Sequence, residues 1–172
     1  MKKTTYRIIK RVGLDSDVMI MMIDDKYEFS EFKPKLYRKD QIFFINYIVF
    51  GETLNFLIKQ HGLTKEQAVN KIFNFLRENR ITLIKKSQTD QTLVLDTFDK
   101  LKKQRELLKN NASNSDLMII SVYKNRNIDL IFSRNADHFR PFCRYLNIDF
   151  KKLKEDVDIM WRRTFGWRKR HK

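Results

Sequence analysis

The stretch YRIIKRVGLDSDVMIMMID, residues 6–24, decides how this chain folds. Its first half, over residues 7–14, is rich in β-branched and apolar side chains and reads as a buried first strand. Two carboxylates, Asp15 and Asp17, stand where that strand ends. Apolar residues resume at once and predict a short helix over 18–22. A buried strand, a polar break and an apolar helix make the first half of a βα unit, which belongs to a parallel sheet.

The rest of the chain repeats the alternation. QIFFI reads as a short strand leading into a helix, NYIVFGETLNFLIKQHG, with Gly62 as its C-cap. Thr64 followed by Gln67 is a capping-box pattern, and Ala68, Ile72, Phe75 and Leu76 follow it at helical spacing. RITLIKK is a strand and TDQTLVLDTFDKLKKQRELLKN a helix with a basic second half. SNSDLMIISVYKNRN is a helix with a Ser/Asn cap. IDLIFSRN is a strand, ADHFRPFCRYLN holds a helical turn or two, and IDFKK is a last strand. DDKYEFSEFKPKLYRKD, with Pro34, reads as a loop or insertion. The expected architecture is a three-layer α/β/α sandwich with a mostly parallel sheet over residues 1–150. A basic C-terminal helical tail follows over 151–172. In such sheets, sites gather at the carboxyl ends of strands, which is where Asp15 lies.

Composition narrows the function. The 172 residues are 42% hydrophobic and 33% charged, a globular composition. Cys143 is the only cysteine, so neither an internal disulfide nor a cysteine zinc cage can form. His61, His138 and His171 lie far apart and have no metal-ligand spacing. The start, MKKTTYRIIKR, lacks the apolar core of a signal peptide, and no run is apolar enough to span a membrane; a cytoplasmic protein is expected. The net charge of +15 favours a polyanionic partner, nucleic acid first.

Against that charge, three acids are out of place. Asp15 closes the first strand. Glu52 falls on a helix face with Ile45, Ile48, Val49 and Phe56. Asp116 shares a face with Ile119, Ile120 and Tyr123. Singly, each has an ordinary explanation: Asp15 and Asp17 as helix caps, Asp116 as a helix-dipole partner, Glu52 as half of an ion pair. Jointly, they suit a hard divalent cation such as Mg²⁺ or Mn²⁺, which takes oxygen ligands and stabilises charge on a phosphate.

The order of these residues resembles the PIN-domain nucleases, in particular the VapC-like toxin ribonucleases. GLDSDVMI resembles the family's opening motif, and INYIVFGETLNFL resembles its helix carrying one Glu. SNSDLMIISVYKNRNIDLIFSRNADHF resembles its third block, an Asp that starts a helix and a strand that ends in Thr/Ser-Arg-Asp. The resemblance runs from about residue 12 to 150. It implies that Asp15, Glu52 and Asp116 bind metal and that Ser133 is the active-site hydroxyl. It puts Asn135 where the family often has a fourth acid, with Asp137 two residues on as another source of charge. Asp17 stands where a neutral residue is usual.

The implied activity is Mg²⁺- or Mn²⁺-dependent cleavage of tRNA, rRNA or mRNA by a metal-activated water. The implied setting is a homodimeric toxin paired with an antitoxin. Lys102 and Lys103 on the basic helix, Arg134, and Arg162, Arg163, Trp167, Arg168, Lys169 and Arg170 in the tail are the expected RNA contacts. Cations there can pair with phosphates and an aromatic can stack on a base. The alternatives are a housekeeping RNA-processing PIN nuclease and a non-catalytic RNA-binding PIN module. A dinucleotide-binding protein is disfavoured, because no Gly-x-Gly-x-x-Gly loop is present.

Overall fold

The computed structural model describes residues 9–24 and 40–153. Five strands form one all-parallel sheet: β1 Lys10–Leu14, β2 Gln41–Asn46, β3 Ile81–Ile84, β4 Leu130–Ser133 and β5 Asp149–Lys152, in the order β3-β2-β1-β4-β5. Among the described residues six α-helices connect them: α1 Ser16–Asp24, α2 Tyr47–His61, α3 Lys65–Glu78, α4 Gln91–Leu107, α5 Asn114–Asn125 and α6 Ala136–Tyr145. Right-handed crossovers between parallel strands put α1, α2 and α3 on one face of the sheet and α4, α5 and α6 on the other. The result is the three-layer α/β/α sandwich expected, with β1 at its centre between β2 and β4.

Local chemistry sets most boundaries. Asn46 ends β2 and caps α2: its Oδ1 accepts from the amides of Ile48 and Val49 at 3.0 and 3.1 Å. Its amide donates across the molecule to the Ile119 carbonyl at 3.2 Å, so one buried side chain ties α2 to α5. Gly62 closes α2 in the left-handed conformation at φ 64°, which glycine enters without steric cost. Thr64 and Gln67 make the capping box on α3. Asp90 and Ser113 cap α4 and α5.

Several expectations need correction. The helix expected over 18–22 is longer and begins immediately after Asp15. The helical turn or two expected after β4 is the ten-residue α6, despite Pro141 inside it. The buried face of α2 is Val49, Thr53 and Leu57. Ile45 is a strand residue, and Glu52 lies half-buried beside that face instead of in its middle. Phe43, Phe44 and Phe75 are core, whereas Phe73 is 47% exposed and rests on half-buried Phe50 with ring centroids 5.3 Å apart. Most of the loop read in DDKYEFSEFKPKLYRKD and the tail beyond Leu153 lie outside the described residues. Among the described residues no helix is long and apolar enough to cross a membrane.

The strand order reverses at β1, whose two neighbours, β2 and β4, are reached by crossovers on opposite faces. A parallel sheet opens a crevice at such a reversal, outside the carboxyl ends of the strands. Here that point lies between Leu14 and Ser133.

Candidate active site at the carboxyl ends of β1 and β4

Asp15 is the first residue beyond β1. Its backbone amide donates to the Phe132 carbonyl at 3.0 Å, which fastens it to β4. Its carboxylate is 3% exposed. Oδ1 accepts from the Ser16 amide at 2.7 Å and Oδ2 from the Ser133 hydroxyl at 2.8 Å. Ser133 in turn accepts from the Asn135 amide at 2.9 Å. Burial, and then the neighbouring charge of Asp17, push the Asp15 carboxyl well above the usual carboxylate range, and Asp116 adds to the push.

Asp17 lies in the first turn of α1. Its Oδ2 accepts the Arg134 amide at 3.0 Å and so closes the β4–α6 turn over the site. Its Oδ1 is buried with no hydrogen-bond partner among the described residues. Burial raises this carboxyl as well. The positive end of α1 favours both acids, but it does not satisfy the orphaned oxygen.

Asp116 arrives from the sheet's other face, in the first turn of α5. One oxygen, Oδ2, accepts the Ser113 amide at 2.7 Å, the return half of the capping box. The same oxygen lies 3.1 Å from Nδ1 of His138. That ring nitrogen is also 2.8 Å from the side-chain amide of Asn135. Beside Asp116, the Ser115 hydroxyl donates to the Glu52 carboxylate, which joins α2 to α5 at the rim.

Asp15, Ser133, Asn135, His138 and Asp116 are therefore linked in one hydrogen-bonded chain across the switch point, with Asp17 and Glu52 beside its two ends. Asp137 does not join it: its side chain is exposed, and its backbone carbonyl is held by the Asn110 amide at 2.8 Å. Arg134, Lys102 and Lys103 are exposed. Arg105, which shares the basic helix, braces the start of α5 instead. Its Nη1 donates to the Ala112 carbonyl at 3.0 Å and to Asn114 at 2.9 Å. Arg162, Arg163, Trp167, Arg168, Lys169 and Arg170 lie outside the described residues.

Sequence reasoning missed Ser115 and His138. His138 sits 22 positions from Asp116, and no local pattern announces a contact between two helices. The one available signal is the spacing of Asn135 and His138, three apart at a helix start.

The donor set suits a hard cation. It consists of carboxylate, hydroxyl and amide oxygens with one imidazole, and it contains a buried carboxylate oxygen that no described residue satisfies. Among the described residues, no group of three Asp, Glu, His or Cys side chains is placed to hold a metal ion together. Mg²⁺ does not require one, because it commonly keeps several waters and binds through one or two carboxylates.

No protein-family model matches the chain, and no curated protein matches it significantly in sequence. Solved structures do. VapBC2 from Rickettsia felis, bound to a DNA fragment from its promoter, superposes with a TM-score of 0.63 at 20% identity, covering 84% of this chain and 99% of that one. DNA-bound VapBC from Salmonella typhimurium gives 0.61 at 18% identity, covering 83% and 98%. VapC20 of Mycobacterium tuberculosis, a toxin that cleaves the sarcin-ricin loop, gives 0.51 at 13% identity, covering 70% and 86%. The fold is the PIN-like fold of VapC toxins. Shared at such low identity, the PIN-like fold is common ground in backbone architecture, and function has to be argued from the site.

Proposed function

We propose that this chain is a Mg²⁺- or Mn²⁺-dependent endoribonuclease of the VapC kind, the toxin of a toxin–antitoxin pair. What carries the reading is the run of buried and half-buried, hydrogen-bonded polar groups from Asp15 to Asp116 at the switch point of a strongly basic protein. Asp15 and Asp116 would hold the cation, with Glu52 at the rim. When bound, the cation supplies Lewis acidity: it makes a water nucleophilic near neutral pH and offsets charge on the phosphate.

The other residues play separate parts. Ser133 donates to Asp15 and fixes the rotation of that carboxylate. Arg134 has its backbone held by Asp17 and its side chain exposed, which suits it to pair with a phosphate. Asn135 supplies a neutral polar group, and Asp137 reserves charge at the outer edge. Lys102, Lys103 and the basic tail draw the RNA chain in. Relatives in fold are VapBC complexes, and the same kind of small antitoxin partner, together with a homodimer, is proposed for this chain in a cytoplasmic setting.

A labelled mixed-sequence RNA, incubated with purified protein in Mg²⁺, Mn²⁺ or EDTA, tests the reading. Cleavage that needs metal and is lost in Asp116→Asn is the expected result. RNA that is bound but never cut would favour the non-catalytic RNA-binding alternative.

A further inference from the structure

His138 is the residue in this cluster to which the nuclease reading assigns no role. Its ring is mostly sheltered, with 29% of the side chain exposed, against 19% for Asp116. Nδ1 faces two groups with opposite needs: the Asp116 carboxylate at 3.1 Å, which can only accept, and the Asn135 amide nitrogen at 2.8 Å, which can only donate. One ring nitrogen cannot donate to the first and accept from the second at once. As N–H it donates to Asp116, and the Asn135 amide must turn to offer its oxygen as a second acceptor of the same N–H. As a lone pair it accepts from Asn135 and leaves Asp116 to the Ser113 amide alone.

The first arrangement leaves no donor facing a donor and no lone pair facing a lone pair. In it, Asp116 Oδ2 is held from two sides, by Ser113 through the backbone and by His138 through the ring. Asp116 Oδ1 then has its direction set by an oxygen that cannot swing. A carboxylate held in this way is prepared for a cation, because outer hydrogen bonds orient a ligand and its loss of freedom is met before binding.

We propose that His138 is a positioning residue: through Nδ1 it orients the Asp116 carboxylate toward the cation, while Asn135 steadies the ring. The inference rests on the metal-site reading above. His138 also couples the β1–β4 half of the site to the α5 half, because Asn135 is already bonded to Ser133 and, through it, to Asp15.

The test is Mn²⁺ affinity of the purified full-length chain, read by electron paramagnetic resonance, with the melting temperature in EDTA measured alongside. Wild type is compared with His138→Ala, His138→Asn and Asp116→Asn. Asn is the informative variant, since its side-chain amide stands close to where Nδ1 stands. His138→Ala is expected to weaken Mn²⁺ binding on the order of tenfold, and His138→Asn to recover most of it. Equal affinity in wild type and His138→Ala overturns the proposal. Affinity lost equally in the Ala and Asn variants also overturns it, because the ring would then matter only as packing. Wild type that binds no more Mn²⁺ than Asp116→Asn overturns the metal site itself, and the proposal with it.

Discussion

Asp15 is buried and accepts hydrogen bonds from the Ser16 amide and hydroxyl and from the Ser133 hydroxyl, and no donor among these carries charge. Its carboxyl, raised by burial and by Asp17, therefore holds its proton more tightly in the folded chain than in the unfolded one. The stability this gives is complete below the unfolded value, roughly 3.9, and is lost as pH rises through the folded value. In EDTA, Asp15→Asn is expected to melt above wild type at about pH 7.5 and to lose that advantage at about pH 5. A gain of about 1 kcal/mol corresponds to roughly 2–4 °C for a chain of this size. Differential scanning calorimetry at the two pH values checks the sign. At this scale the sequence was legible where a charge broke an apolar pattern, as at Asp15 and Asp116. It was silent where a contact depends on two helices meeting, as with His138 on Asp116 or Ser115 on Glu52.

Pro141 sits inside α6 and cannot donate to the Asp137 carbonyl four residues before it. That carbonyl is not wasted, because the Asn110 amide donates to it at 2.8 Å and so ties the loop before α5 to α6. Asn110→Ala is expected to cost about 1 kcal/mol. In a Pro141→Ala background, where residue 141 can donate, it should cost clearly less, and a double-mutant cycle in urea measures the difference. This is also why α6 looked too short in sequence: a proline signals a break, and its substitute donor comes from a distant loop.

A second element-level device aligns the carboxyl edge of the sheet. The buried Tyr123 hydroxyl donates to the Leu14 carbonyl and lies 3.3 Å from that of Phe44, bracing the ends of β1 and β2. The ring is packed so closely on β1 that a Cβ at Gly13 would come within 2.8 Å of it. Gly13→Ala is therefore expected to destabilise by about 1–3 kcal/mol. Tyr123→Phe, which strips the donor, should cost a similar amount, about 1–3 kcal/mol. Thermal melts of both variants check this. In sequence Gly13 looked like an ordinary strand residue, because nothing local shows which side chain crosses over it.

The layer architecture was legible because short strands alternate with helices, and right-handed crossovers leave few ways to arrange them. The face of α2 was misread because Glu52 needs only half-burial to reach Ser115, which periodicity alone cannot distinguish from full burial.

The whole molecule pairs a net charge of +15 with an acidic centre. Under the proposed function, long-range attraction to RNA would come from the surface, and a cation at the site would limit repulsion near the phosphate. Affinity for single-stranded RNA is expected to fall steeply with salt, with a log–log slope of about −0.7 per phosphate contacted. Replacing Lys102 and Lys103 with Ala together should flatten that slope by about 1–2, read by filter binding across a salt series.

If the switch-point acids direct water at an RNA phosphodiester with the help of a divalent cation, the cut ends carry the record of it. Their chemical identity is therefore the measurement to make, with wild type, Asp15→Asn and Asp116→Asn compared in Mn²⁺ and in EDTA. The expected products are plain phosphate and hydroxyl ends that appear only for wild type in metal. Ends bearing a 2′,3′-cyclic phosphate would identify the RNA's own hydroxyl as the nucleophile and refute a metal-directed water. Cutting that survives EDTA or either substitution would refute it as well.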